Sequence, residues 1–244
     1  MQPKILIATP TCNLYEYCLK EYAEVVKSLT YPNYDILIAD NSPDDSYIEK
    51  LKSLGLKAVK TPHHQRARER IVTARNTLRQ YALSNGYDYL LSLEQDVIPP
   101  KNVIEALLKT NQKIISGLYF NLNNQYEFPN LLAGSIGLPL AYKLFSKEES
   151  KKPLKEQLLR RLTKEEVKEK KKILLRMAGL GCILIHRDVL EAIKFDYYPD
   201  LLASDDRHFS DKATEHKLPI ILDTSVICRH LTSKKPFDWS NIEK

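Results

Sequence analysis

An α/β fold with a mainly parallel central sheet flanked by helices is the architecture the sequence predicts. Short apolar runs alternate with stretches of helical periodicity over residues 1–120. Strand–helix–strand units of this kind lay their strands parallel, because the helix carries the chain back across the sheet. The composition is that of a folded chain. With 43% hydrophobic and 28% charged residues among 244, it can bury a core without a metal or disulfide staple. Wholesale disorder and fibrous classes are excluded on the same grounds.

The elements follow in order. Lys4 to Ala8 is an apolar run ending at Thr9-Pro10-Thr11, the first strand. Leu14 to Leu29 places Leu19, Tyr22, Ala23 and Val26 at helical spacing, and Tyr31-Pro32-Asn33 stops it. Tyr34 to Ala39 is a second strand, closing on Asp40-Asn41-Ser42-Pro43, with a short helix at about 44–54. Leu56 to Lys60 is a third strand. Residues 66–84 carry Ile71, Ala74, Leu78 and Ala82 on one helical face, and Asn85-Gly86 ends that helix. Tyr87 to Leu93 is a fourth strand, delivering Glu94-Gln95-Asp96 ahead of Pro99-Pro100. A helix fits 101–109, Lys113 to Tyr119 is a fifth strand, and His208 to His216 fits a short helix.

Polar residues gather where these strands end. Thr9 and Thr11 follow the first, Asp40 the second, Glu94 and Asp96 the fourth. In parallel sheets ligands sit beyond the carboxyl ends of the strands. Glu94 and Asp96 are two apart, so they project to one side while the chain stays extended. Two carboxylates around a polar residue suit a hard cation such as Mg²⁺ or Mn²⁺ with positions open to phosphate oxygens. The competing reading is a solvated acidic turn.

This ordered set resembles a nucleotide-sugar glycosyltransferase of the GT-A fold, family 2 type. Asp88-Tyr89-Leu90-Leu91-Ser92-Leu93-Glu94-Gln95-Asp96 resembles the strand carrying that fold's DXD motif, with Glu for the first Asp. Ala74-Arg75-Asn76 resembles the Ala-Arg-Asn segment of the preceding helix, and Ile36 to Asp45 the strand with the nucleobase-binding Asp. Gly179-Leu180-Gly181-Cys182 resembles the glycine loop, Ser204-Asp205-Asp206 the xED motif, and Asp223 to His230 the last strand with its metal-binding His. The match covers about 1–120 and 177–232 of what reads as one catalytic domain: a nucleotide-sugar half (1–120), an acceptor-side insertion (121–176), a catalytic and metal half (177–232) and a tail (233–244).

The resemblance implies roles. Thr9, Pro10, Thr11, Asp40, Arg75, Glu94, Gln95, Gly179 and Gly181 would hold the donor. Asp40 would accept a base imide N–H and Arg75 would donate to a base carbonyl, which favours a UDP-sugar. Asp96, Glu94 and His230 would hold Mn²⁺ or Mg²⁺, with Glu94 reaching the ribose or the metal through water. Asp206, with Asp205 beside it, would be the base that deprotonates a hydroxyl acceptor on a glycan, lipid or protein in an inverting transfer. Each has a bland rival: Asp40 and Asp205 as helix caps, Arg75 on a helix surface, His230 as a solvated terminal side chain, the glycines as turn formers. A retaining outcome stays open.

Other features stand outside the motif set. Residues 143–176 hold 13 Lys+Arg against 6 Glu, while the rest of the chain holds 24 basic and 25 acidic residues. This segment reads as helix, with apolar punctuation at Leu154, Leu158, Leu159, Leu162, Val167, Ile173 and Leu174. It suits docking on an anionic membrane surface or an acidic partner, or a purely solvated role. It lacks the interleaved aromatics of a nucleic-acid surface. His63 to Arg70 is a basic run that either contacts phosphates or begins a solvated helix. Tyr119, Phe120, Tyr126 and Phe128 offer aromatic faces to an acceptor, and Lys234, Lys235 and Trp239 are lid candidates. Four scattered cysteines and no signal pattern at Met1–Lys4 suit a cytoplasmic setting, peripheral to the membrane if the basic segment docks there. No apolar run reaches the ~18 residues of a membrane span. Two other classes compete: a sugar nucleotidyltransferase, disfavoured because Thr9-Pro10-Thr11-Cys12-Asn13 lacks glycine, and a non-catalytic carbohydrate- or nucleotide-binding protein.

Overall fold

The computed structural model describes residues 2–121, 138–139, 141–169, 171–201 and 204–231. Tyr126, Phe128, Lys234, Lys235 and Trp239 lie outside the described residues.

The first half alternates as expected. It runs β1 (Ile5–Thr11), α1 (Leu19–Val26), β2 (Tyr34–Asp40), α2 (Ser46–Ser53), β3 (Ala58–Lys60), α3 (Ala67–Ser84) and β4 (Tyr89–Leu93). The short β5 (Val97–Ile98) and α4 (Val103–Leu108) lead to β6 (Ile114–Leu118). The predicted first helix is split, with a 3-10 turn at Asn13–Cys18 preceding α1. Gly86 sits at φ +69°, the left-handed conformation that ends α3 without steric penalty.

The second half begins with β7 (Phe120–Asn121) and β8 (Leu138–Pro139), which pair antiparallel. Then come β9 (Ala141–Leu144), β10 (Leu159–Arg161), α5 (Lys164–Glu169), β11 (Lys172–Leu175), β12 (Met177–Ala178), β13 (Cys182–His186), α6 (Arg187–Ala192), α7 (Asp205–Glu215), β14 (Ile220–Ile227) and β15 (Arg229–His230). Among the described residues eight strands form the central sheet, ordered β11-β14-β6-β13-β4-β1-β2-β3. The pairs β1–β2, β2–β3, β1–β4 and β6–β14 are parallel, and β13 and β11 run antiparallel to their neighbours.

Both faces of this sheet are covered. Along β1, Ile5 and Ile7 bury against α1 and α4, while Leu6 and Ala8 bury against α3. A strand with two buried faces reads as a continuous apolar run. Helix α3 lays Ala74, Leu78 and Ala82 on the sheet, four residues apart on one face. Each fully buried aliphatic side chain stabilises the fold by about 1.5–3 kcal/mol.

The basic segment corrects the sequence reading. Residues 143–176 are not a helical excursion. They form β9, β10 and β11 with 3-10 turns at Glu148–Lys151 and Leu154–Glu156, and only α5 is α-helical. Strand β11 pairs with β14, so Ile173 and Leu175 are buried while Lys172 and Leu174 are exposed. Pairing to a buried neighbour overrides the helical propensity of a Lys- and Leu-rich stretch. Strands β10, β9 and β12 form a small sheet of their own.

Candidate active site

Four segments converge at the carboxyl edge of the parallel strands: the ends of β1 and β2, the turn after β4, and the 179–181 turn with the N-terminus of α7. Arg75, from the middle of α3 and only 3% exposed, joins three of the surrounding groups. Its Nε donates to Asp205 Oδ2 (2.5 Å), its Nη1 to Ser92 Oγ (2.7 Å) and its Nη2 to Glu94 Oε1 (2.7 Å). Ser92 in turn donates to the Leu180 carbonyl at 2.7 Å. Arg75 therefore locks the end of β4, the glycine turn and α7 together. Its donors are taken by protein, whereas the family resemblance had aimed them at a base carbonyl. Two carboxylates beside the guanidinium reinforce its charge against the opposing pull of burial.

The carboxylates divide the work. Asp205 is buried as the partner of Arg75. Asp206 follows it in the first turn of α7, and its Oδ1 accepts the Leu180 N–H at 3.3 Å. Burial pushes Asp206 up to about 8, with Asp205 and Glu94 adding to the rise and Arg75 opposing it. Burial also raises Glu94, against the pull of Arg75.

The candidate metal ligands meet in part. The pairing of β15 with β5 sets His230 opposite Val97, beside Asp96. His230 Nε2 lies 3.3 Å from Asp96 Oδ2, and Nδ1 lies 2.9 Å from the Phe120 carbonyl. That carbonyl can only accept, so Nδ1 carries a proton and Nε2 faces the carboxylate. An imidazole nitrogen with a carboxylate oxygen is a suitable pair for Mn²⁺ or Mg²⁺ completed by phosphate oxygens. Glu94 is turned to Arg75 instead, and among the described residues no group of three His, Cys, Asp or Glu is gathered for a metal ion.

The remaining expected donor-binding residues are distributed between floor and interior. Gln95, 1% exposed, accepts from Thr11 Oγ1 at 2.6 Å and donates to the Tyr15 carbonyl at 2.8 Å, which ties the ends of β1 and β4 to the turn before α1. Thr9 is fully buried with its hydroxyl on Tyr22 of α1. Asp40 is fully buried too, accepting from the Ser42 N–H (3.0 Å) and from Lys60 Nζ (2.9 Å). Pro10 and Thr11 line a cleft beside Cys12, Asn41, Arg70 and Glu94. Asn41 and Arg70 were not among the expected donor contacts. The signal for Arg70 was present in the basic run His63–Arg70, whose last four residues are the first turn of α3.

The glycine turn has a steric cause. A Cβ on Gly181 would lie 2.7 Å from the Tyr119 hydroxyl and 3.1 Å from Glu94 Oε2. Its N–H donates to the Tyr119 hydroxyl (2.8 Å), and its carbonyl accepts the Glu94 N–H (3.0 Å). Gly179 is buried just before this turn. Tyr119, expected on the acceptor face, is 2% exposed and packs edge-on against His230, with ring centroids 5.4 Å apart. Asn76 clamps the backbone of Phe195, donating to its carbonyl (2.8 Å) and accepting its N–H (3.1 Å), and so fixes the segment that leads to α7.

The model of glycosyl transferase family 2 matches residues 6–193. The chain belongs to that family. No curated protein matches it by sequence. This family 2 chain is similar in structure to GalNAc-T7, solved with UDP, GalNAc and Mn²⁺, at TM-score 0.64 and 14% identity over 93% of this chain and 44% of that one. It is similar to the mannosyltransferase PcManGT from Pyrobaculum calidifontis, solved with GDP-Man and Mn²⁺, at TM-score 0.56 and 14% identity over 95% and 57%. A197 from STIV matches at TM-score 0.50 and 16% identity over 93% and 85%. The chain spans about half the length of the first two. The protein is a glycosyltransferase of the GT-A fold. Among the described residues no helix is long and apolar enough to cross a membrane.

Proposed function

We propose that the enzyme transfers a sugar from a nucleoside-diphosphate sugar, with uridine the favoured nucleoside, to a hydroxyl acceptor on a glycan, lipid or protein, with inversion. The observation that carries this reading is the meeting of Glu94 and Asp205 on Arg75, which sets Asp206 beside the end of β4. Asp206 is the base. Burial holds its proton affinity near neutrality, where a carboxylate can take a proton from an attacking hydroxyl. Asp96 and His230 would hold a divalent metal, which supplies positive charge for the diphosphate leaving group. Arg75 pairs with Asp205 and Glu94 beside the base and is a positioning residue. Asn41 and Arg70 line the donor cleft, and Arg70, whose Nη1 donates to the His64 and Gln65 carbonyls, takes the place of Arg75 as the cation beside the donor. The backbone at Gly181 gives the donor a close approach. The four free cysteines are in keeping with a reducing compartment such as the cytoplasm.

The test is single-turnover sugar transfer by Asp206→Asn. Loss of transfer by about 10²–10⁴-fold, with UDP binding retained, is the expected result. Transfer at the wild-type rate would remove Asp206 as the base.

A further inference from the structure

We propose that the insertion docks on an anionic lipid bilayer through the tip of the β9–β10 ribbon. This goes beyond the proposed transfer and stands on the insertion alone.

Leu144 pairs with Leu159, and the Phe145 N–H donates to the Leu158 carbonyl at 2.9 Å, so Phe145 and Leu158 face each other across the ribbon. Directly opposed residues on antiparallel strands share a face. Both side chains stand out of the protein, at 66% and 59% exposure, and they are two of the four exposed large hydrophobic side chains among the described residues. One is aromatic, the residue type that settles at the headgroup level of a bilayer.

The charge around this tip is mixed, with Lys147 and Lys151 exposed beside Glu148 and Glu156, and the basic excess belongs to the 143–176 segment as a whole. By strand alternation Lys143 and Arg160 lie on the same face as Phe145 and Leu158. Glu166 neutralises part of their charge, at 3.3 Å and 2.8 Å. Beyond the apolar pair, Lys147 and Lys151 are exposed, and no carboxylate lies within ion-pair distance of either among the described residues. Glu149 is turned inward, holding Lys152 and the Leu158 N–H, and so shapes the loop without adding to its outer surface. The segment that carries this tip holds the whole excess of positive charge in the chain. An exposed apolar pair carried by a segment with a basic excess matches a surface of acyl chains under anionic headgroups. An acidic protein would use the lysines and leave the exposed apolar pair without a purpose.

The geometry relates this surface to the site. Tyr142 pairs with Met177, next to the 179–181 turn, and Asp206 is among the charges acting on its hydroxyl. Three residues of strand separate Tyr142 from Phe145, roughly 10 Å. A docked tip therefore holds the candidate base close to the membrane plane.

The experiment is flotation of the full chain with vesicles of phosphatidylcholine alone and with added phosphatidylglycerol. The expected result is binding about ten-fold tighter to the anionic vesicles, weakened by salt. Phe145→Ser/Leu158→Ser should lose most of that binding with thermal unfolding unchanged. Lys147→Glu/Lys151→Glu, at exposed positions whose side chains form no ion pair among the described residues, should lose it as well. Donor binding should be intact in both variants, which separates this proposal from the transfer reading. Equal flotation with both vesicle types, no flotation with either, or wild-type flotation by both variants would overturn it. Retention on immobilised polyglutamate without vesicle binding would assign the surface to an acidic protein and would also overturn it.

Discussion

Asp206 lies where burial and two neighbouring carboxylates oppose its charge, so its protonation state should govern both rate and stability. A base must be ionised, so transfer should rise with pH and level off above about 8. The stability effect has the opposite sign. Between the ordinary carboxylate value and about 8, folded Asp206 keeps a proton that the unfolded chain has released, so stability falls as pH rises through that window. Asp206→Asn removes this penalty. Its melting temperature should exceed that of the wild type at pH 8 and match it near pH 4, as read by calorimetry. Gly181 gives a second check at this scale. Gly181→Ala places a methyl 2.7 Å from the Tyr119 hydroxyl and should cost about 1–3 kcal/mol in urea unfolding. Adding Tyr119→Phe deletes that oxygen and should recover part of the loss.

Elements differ in how far the sequence discloses them. Strands β1, β2 and β4 and helix α3 were legible almost to their ends. Each is a local pattern closed by a local stop, as Asn85-Gly86 closes α3. The insertion was not legible. Its leucines and lysines carry strong helix propensity, and only the partners β14 and β12, far along the chain, make strands of β11 and β9. The same sheet is fastened to α7 by charge. Asp211, fully buried, accepts from Arg176 Nη2 (2.5 Å) and Arg207 Nε (3.1 Å), and Arg176 Nε also donates to Gln157 (2.8 Å). Removing one member leaves buried charge uncompensated. Asp211→Ala should cost about 3–5 kcal/mol in denaturant unfolding. It should also slow transfer, since α7 carries Asp206. A loss under 1 kcal/mol would show that the insertion is held by its apolar contacts.

Across the whole molecule, the site is assembled from ends that are distant in sequence. Arg75 reaches Asp205 over 130 residues. The candidate residues were recognisable by type and order, but their partners were not. Nothing local announces that Arg75 faces inward, that Lys60 takes one oxygen of Asp40, or that Glu94 turns to Arg75 while His230 lies against Asp96. Those choices depend on which side chains the sheet order brings within reach. Under the proposed function, Asp96 and His230 join donor binding to a divalent metal. Calorimetric titration of UDP, GDP and ADP with and without Mn²⁺, in the wild type, Asp96→Ala and His230→Ala, tests it most directly. The account predicts UDP binding at least about ten-fold tighter with Mn²⁺, a difference abolished in both variants. UDP affinity indifferent to Mn²⁺, or a metal effect that survives both substitutions, would contradict it.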